Sequence, residues 1–245
     1  MKEFEVRVEA ELPATPEEVW YALTLNTAAW IWEISYEPRV GGAEQGLAGG
    51  TVTGWEPPRH LATRAERPDG WWNNLDTVLE PGAGGTQMRY VHNSVAPDET
   101  YDVELDACRK HTALYHHNLA EYLRHFKGRK ATYAEADGPE GSARPGTFGR
   151  LRSALGLGQD AFVEDRVRLE PDGLEPIEGV VDYATPEFVG VRTGDALYRF
   201  FGRDAFGWPV GLGIHLFDER ADAAQTSEAW RFWLDDLLGD ERSAA

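Results

Sequence analysis

The chain has 245 residues, 42% hydrophobic and 11% aromatic, enough apolar material for one large packed domain or two smaller ones. It carries 24 Lys and Arg against 42 Asp and Glu, a formal charge of −18, and so acidic a surface repels nucleic-acid phosphates and anionic lipid. A single cysteine, Cys108, excludes an internal disulfide and gives no sign of a thiolate metal site.

The first seven residues, Met-Lys-Glu-Phe-Glu-Val-Arg, lack the apolar stretch of a signal peptide, and no run approaches the ~20 apolar residues of a membrane span. The expectation is a cytoplasmic protein. Residues 4–12 alternate apolar and polar side chains, the period of a half-buried strand. Thr15-Pro16-Glu17-Glu18 then reads as a helix start: Thr15 caps, Pro16 suits the first helical position, and Glu18 completes a capping box. The helix runs to about Leu23, with Val19, Trp20 and Leu23 as its apolar positions.

Strands are expected at 50–55, 60–66, 73–79 and 86–93. Between them lie the turns Pro57-Pro58, Pro68-Asp69-Gly70 and Pro81-Gly82-Ala83-Gly84-Gly85. Short turns between consecutive strands imply an antiparallel meander. Gly41-Gly42 and Gly49-Gly50 bracket a loop that reads equally as a gate or as plain surface. A long helix is expected at about 103–126. Its stripe is Cys108, Thr112, Tyr115, Leu119, Tyr122 and Phe126, with His111 beside it.

Residues 128–146 are polar and rich in Gly, Pro and Ala, the composition of a linker. Beyond them the same order returns in shorter form. A helix is expected at 147–155, strands near 163–169, 178–183, 187–193, 196–202 and 209–217, and a helix at 223–238 with Trp230, Trp233, Leu234 and Leu237 on one stripe. Pro58–Arg64 parallels Pro186–Arg192, which supports a duplication whose second copy lacks the Trp71-Trp72 segment. The expected organisation is one domain at 1–127, a linker at 128–146, and a second, degenerate copy at 147–245. Phe200, Phe201, Phe206, Trp208 and Trp233 are candidates to fill the interior of that copy.

Four segments, taken in order, carry a family likeness over residues 1–127: Pro13–Trp20, Gly50–Leu61, Leu79–Tyr90 and the helix end Asn118–Leu123. Together they resemble the SRPBCC superfamily (START-like, Bet v 1-like) and, within it, the domain named after the activator of the Hsp90 ATPase. The resemblance implies an α+β helix-grip fold, a curved antiparallel sheet wrapped around a long C-terminal helix with a ligand cavity between them. It supplies no catalytic residue, because the family has no universal catalytic motif and hosts binding proteins, cyclases, hydrolases and chaperone cofactors alike.

Within that frame Met88, Tyr90 and His92 share one face of their strand, and His111 and Tyr115 point towards it from the helix. Trp30, Trp32, Tyr36, Trp55, Trp71 and Trp72 are candidates for the mouth. An apolar wall with a few polar tips is the usual make-up of a small-molecule site, and ordinary core is the competing meaning of each residue. His92 and His111, with Tyr115, are the candidates for acid–base work. His111, His116 and His117 have spacings of five and one, which do not put two imidazoles on one helical face, so no metal is expected. The chain has no Gly-x-Ser-x-Gly elbow, phosphate loop or complete dinucleotide fingerprint, and no cofactor is expected. Three functions follow in order: binding of a small hydrophobic or aromatic molecule, a cyclase- or hydrolase-type enzyme, and a chaperone-associated module. Dimerisation through one of the sheets is left open.

Overall fold

The computed structural model describes residues 1–158 and 161–239. They fall into two compact units, the first Met1–Lys130 and the second from Ala131 onward. The expected second domain reached residue 245, and its last six residues lie outside the described ones.

The first unit opens with β1 (Lys2–Leu12) and α1 (Pro16–Thr24). The expected capping box is present. Thr15 Oγ1 accepts from the Glu18 N–H at 3.4 Å, and the Glu18 carboxylate accepts from the Thr15 N–H at 2.9 Å. A short hairpin, β2 (Ser35–Tyr36) with β3 (Glu44–Gln45), precedes a four-strand meander of β4 (Thr51–Glu56), β5 (His60–Glu66), β6 (Trp72–Gly82) and β7 (Gly85–Ala96). The main sheet is antiparallel throughout, in the order β1-β7-β6-β5-β4, so the first strand returns to pair with the last. At the β6–β7 turn Gly85 has φ 145°, and a Cβ there would meet the Leu12 carbonyl at 2.1 Å. Only glycine lets this hairpin close against the end of β1.

The 25-residue helix α2 (Tyr101–His125) lies on this sheet. It buries Leu114, Leu119, Tyr122 and Leu123, each worth about 1.5–3 kcal/mol of burial. Its far end is tied to the segment after α1, where Asn26 Nδ2 donates to the Tyr122 hydroxyl at 3.0 Å.

The second unit repeats the topology. β8 (Thr132–Asp137) comes first, then α3 (Thr147–Ala154), and then β9 (Arg166–Leu169), β10 (Ile177–Ala184), β11 (Phe188–Arg192), β12 (Ala196–Phe201) and β13 (Gly211–Leu216), with α4 (Ala223–Leu238) last. Its sheet runs β8-β13-β12-β11-β10-β9, again antiparallel with the first strand beside the last. Two antiparallel sheets, each followed by a helix at the end of its unit, give the α+β helix-grip class expected from the sequence.

One boundary differs from expectation. Part of the stretch read as a linker is β8, paired with β13 from Thr132↔Leu216 to Asp137↔Gly211. Tyr133-Ala134-Glu135-Ala136 alternates correctly, with Ala134 and Ala136 buried, but the small side chains and the Gly-Pro residues around them hide the signal. The interior of this unit also differs in detail. Phe200, Trp230 and Trp233 join the aliphatic core, whereas Phe201 and Phe206 pack on Phe188 and Trp208 is exposed. Among the described residues, the largest side chain that is fully buried is that of Arg199. Its guanidinium donates to both oxygens of Asp182 at 2.8 and 2.7 Å, across Gly190 of the intervening strand. A Cβ at Gly190 would meet Arg199 Nη1 at 2.5 Å, so the pair requires glycine there.

None of the described helices is long and apolar enough to cross a membrane.

Candidate ligand-binding site

Sheet register fixes what faces α2. Thr77 of β6 sits opposite Leu61 of β5 and Tyr90 of β7, and Leu75 sits opposite Thr63 and His92. These side chains share the inward face of the sheet. Above Thr77 and Tyr90 the sheet and helix do not meet, and a cavity of about 80 Å³ remains. The sheet contributes Leu61, Thr63, Leu75, Thr77 and Tyr90, and α2 contributes Thr112, Tyr115 and His116. Leu23 of α1 and the segment behind it, with Trp30, Ile31, Ile34 and Tyr36, close one side, and Leu47 closes another. Among the described residues, no charged side chain lines it.

Leu47 is held in place by an unusual contact set. Glu44 is 2% exposed, and its carboxylate accepts from the backbone N–H groups of Leu47 at 2.7 Å, Ala48 at 3.1 Å and Gly50 at 3.1 Å. Trp32 Nε1 donates to the Gly46 carbonyl at 2.6 Å on the same loop. The loop between Gly41-Gly42 and Gly49-Gly50 is therefore pinned from inside, and it carries a wall residue of the cavity.

The polar tips at this cavity are sparingly partnered. Among the described residues, the hydroxyls of Tyr36, Tyr90, Thr63 and Thr77 have no hydrogen-bond partner. Burial pushes the Tyr36 and Tyr90 phenols well above their ordinary range, so both stay protonated. His116 donates from Nδ1 to the Thr112 carbonyl at 2.8 Å, which fixes the tautomer and leaves Nε2 as a lone-pair acceptor. Burial holds its imidazole down to about 4, so it is neutral at pH 7. Its ring lies 4.5 Å from that of Tyr90 and 6.2 Å from that of Trp30.

Of the residues expected at the pocket, Trp30, Tyr36, Tyr90 and Tyr115 line the cavity together. Trp32 stands behind Tyr115, ring to ring at 5.5 Å, and Trp55 stands behind Tyr36 at 6.1 Å and against Trp20 at 5.1 Å. Trp71 and Trp72 are elsewhere, under the guanidiniums of Arg67 and Arg64 at 4.2 and 5.0 Å. Met88 is fully buried in the core opposite Leu79 and Ala10.

His92 shares the inward face but lies one row along from Tyr90. Its Nε2 meets Asn73 Oδ1 and its Nδ1 meets Cys108 Sγ at 3.2 Å, so both nitrogens are engaged. Burial holds His92 down to about 4 and pushes the Cys108 thiol up to about 11, a neutral pair rather than a thiolate–imidazolium pair. His111 Nδ1 meets the Ala107 carbonyl at 2.8 Å, and its ring is 6.0 Å from Tyr115.

His116 is the residue that sequence reasoning missed. The stripe itself could have found it, because Thr112, His116 and Leu119 follow at i+4 and i+3.

Residues 13–124 match the model of the family described as activator of Hsp90 ATPase homolog 1-like protein. Over this stretch the first unit is similar to AHSA1-like domains. Such a domain, of the SRPBCC type, fits a module that binds a small ligand or a partner protein. Solved structures similar to this chain include protein MLL2253 from Mesorhizobium loti, 22% identical, covering 49% of this chain and 97% of its own with a TM-score of 0.42. CalU16 from Micromonospora echinospora is 21% identical over 50% of this chain and 79% of its own, with a TM-score of 0.38. DynU16, a protein of the dynemicin biosynthetic locus, is 18% identical over 96% of this chain and 95% of its own, with a TM-score of 0.43. No curated protein matches the chain.

Proposed function

We propose that the AHSA1-like domain binds a small, mostly apolar molecule in the cavity between its sheet and α2. The observation that carries this reading is the combination of an apolar wall with polar tips that have no partner in the protein. These hydroxyls open onto the hollow, and a guest that hydrogen-bonds to one of them gains about 0.5–1.5 kcal/mol net. The hollow is about 80 Å³, several times what one water needs. It is about half of the roughly 150 Å³ that accommodates benzene, so a ring enters as Leu47 and its loop give way.

His92 and His111 stand off the wall, and we read the site as one for binding rather than turnover. Titration with toluene, phenol and indole, followed by tryptophan emission and by thermal shift, tests the reading. The expected result is a saturable change with at least one compound, and the replacement Trp30→Phe should reduce its optical part. Neither an emission change nor a thermal shift with any of the three would remove the support for a binding cavity.

A further inference from the structure

We propose that the preferred guest is a neutral, ring-sized molecule bearing a hydroxyl or N–H group, and that this group donates its hydrogen to Nε2 of His116. The inference rests on the binding reading above and names what that same site selects.

The polarity of the site is directional. With Nδ1–H committed to the Thr112 carbonyl, His116 offers the cavity an acceptor and no donor. An ether, a ketone or a hydrocarbon leaves that lone pair unanswered, whereas a hydroxyl meets it. Tyr90, whose ring is 4.5 Å from His116, and Tyr36 supply hydroxyls that lack protein partners. A guest hydroxyl has lone pairs as well as a hydrogen, so one guest oxygen can donate to the imidazole and accept from a tyrosine.

The same wall selects against charge. Among the described residues no Asp, Glu, Lys or Arg lines the cavity, and His116 is neutral at pH 7, so a carboxylate or ammonium guest finds no countercharge there. Its transfer from water would be far costlier than that of a hydroxyl.

The test uses the full chain and four one-ring probes of similar size: phenol, anisole, toluene and benzoate, each titrated by calorimetry at pH 7. Phenol should bind about tenfold or more tightly than toluene and anisole, the equivalent of one hydrogen bond. Benzoate should show no binding. In His116→Phe, which keeps a ring between Trp30 and Tyr90, the preference for phenol should vanish while toluene binding survives. His116→Gln, which retains an acceptor, should restore part of it. Side-chain nitrogen NMR adds a readout that packing alone would not move, since the Nε2 resonance of His116 should shift with phenol and stay put with toluene. Toluene binding as tightly as phenol, or His116→Phe keeping the phenol preference, overturns this inference and leaves the binding reading intact. No binding by any probe overturns both.

Discussion

Two histidines, His116 buried and His92 half-buried, give the first unit a built-in acid sensitivity. His92 and His116 are both held down to about 4 in the folded chain, against about 6.5 when unfolded. The unfolded state therefore takes up protons between these values while the folded state does not. Their contribution to stability is complete above about pH 6.5, is lost as pH falls towards 4, and changes little below that. It amounts to at most about 3 kcal/mol for each residue. Urea denaturation at pH 7 and pH 4.5 should show this loss, and replacing both histidines with Phe should shrink it measurably. An equal pH dependence in the two proteins would mean that the imidazoles are not held neutral. Each histidine also has a distinct neighbourhood. His92 faces Phe4, Asn73 and Cys108, whereas His116 faces Trp30, Tyr90 and the Thr112 carbonyl.

Among the elements, the loop after β3 carries Leu47, a wall residue of the cavity. Three backbone N–H groups converge on one buried carboxylate, that of Glu44. Glu44→Ala removes all three bonds at once and frees Leu47, so exchange of a ring-sized guest should speed up severalfold in stopped-flow fluorescence. The fold itself should survive, since no strand of the main sheet depends on that side chain. An unchanged off-rate would show that this loop is not the way in.

Much of the architecture was legible in the sequence because the strands of the first unit are long and alternate cleanly. Thr15–Glu18, the meander turns and the α2 stripe all announced themselves. What stayed hidden has physical causes. His116 sits beside Tyr115, one place off the stripe named from the sequence, and the buried face of β8 is two alanines, Ala134 and Ala136, whose weak hydrophobic signal is drowned by nearby Gly and Pro. Glu44 could not be foreseen, because a lone carboxylate in a Gly-rich segment looks like solvent-facing loop until the backbone folds around it. Trp71 and Trp72 drew attention by size alone, and their actual company is Arg67 and Arg64.

At the scale of the whole chain, one topology is used twice and filled differently. In the first unit a hollow persists between helix and sheet. In the second, Phe200, Trp230, Trp233 and the aliphatic cluster form a core between sheet and α4. The polar pair Arg199–Asp182 is confined to positions where Gly190 makes room for it. In each unit the opening strand is an edge strand that lies alongside the closing one, β1 on β7 and β8 on β13.

That arrangement dictates where the protein can be cut. A piece ending at residue 130 keeps every strand of the first unit, and its partner piece starting at 131 keeps β8. A cut at 146 strips β8 away and leaves the hydrogen-bonding edge of β13 bare, an invitation to self-pairing. Expressed side by side, the 131–245 piece should elute as a defined species on gel filtration and the 147–245 piece should aggregate. Equal behaviour of the two would mean that the six residues of β8 guard nothing.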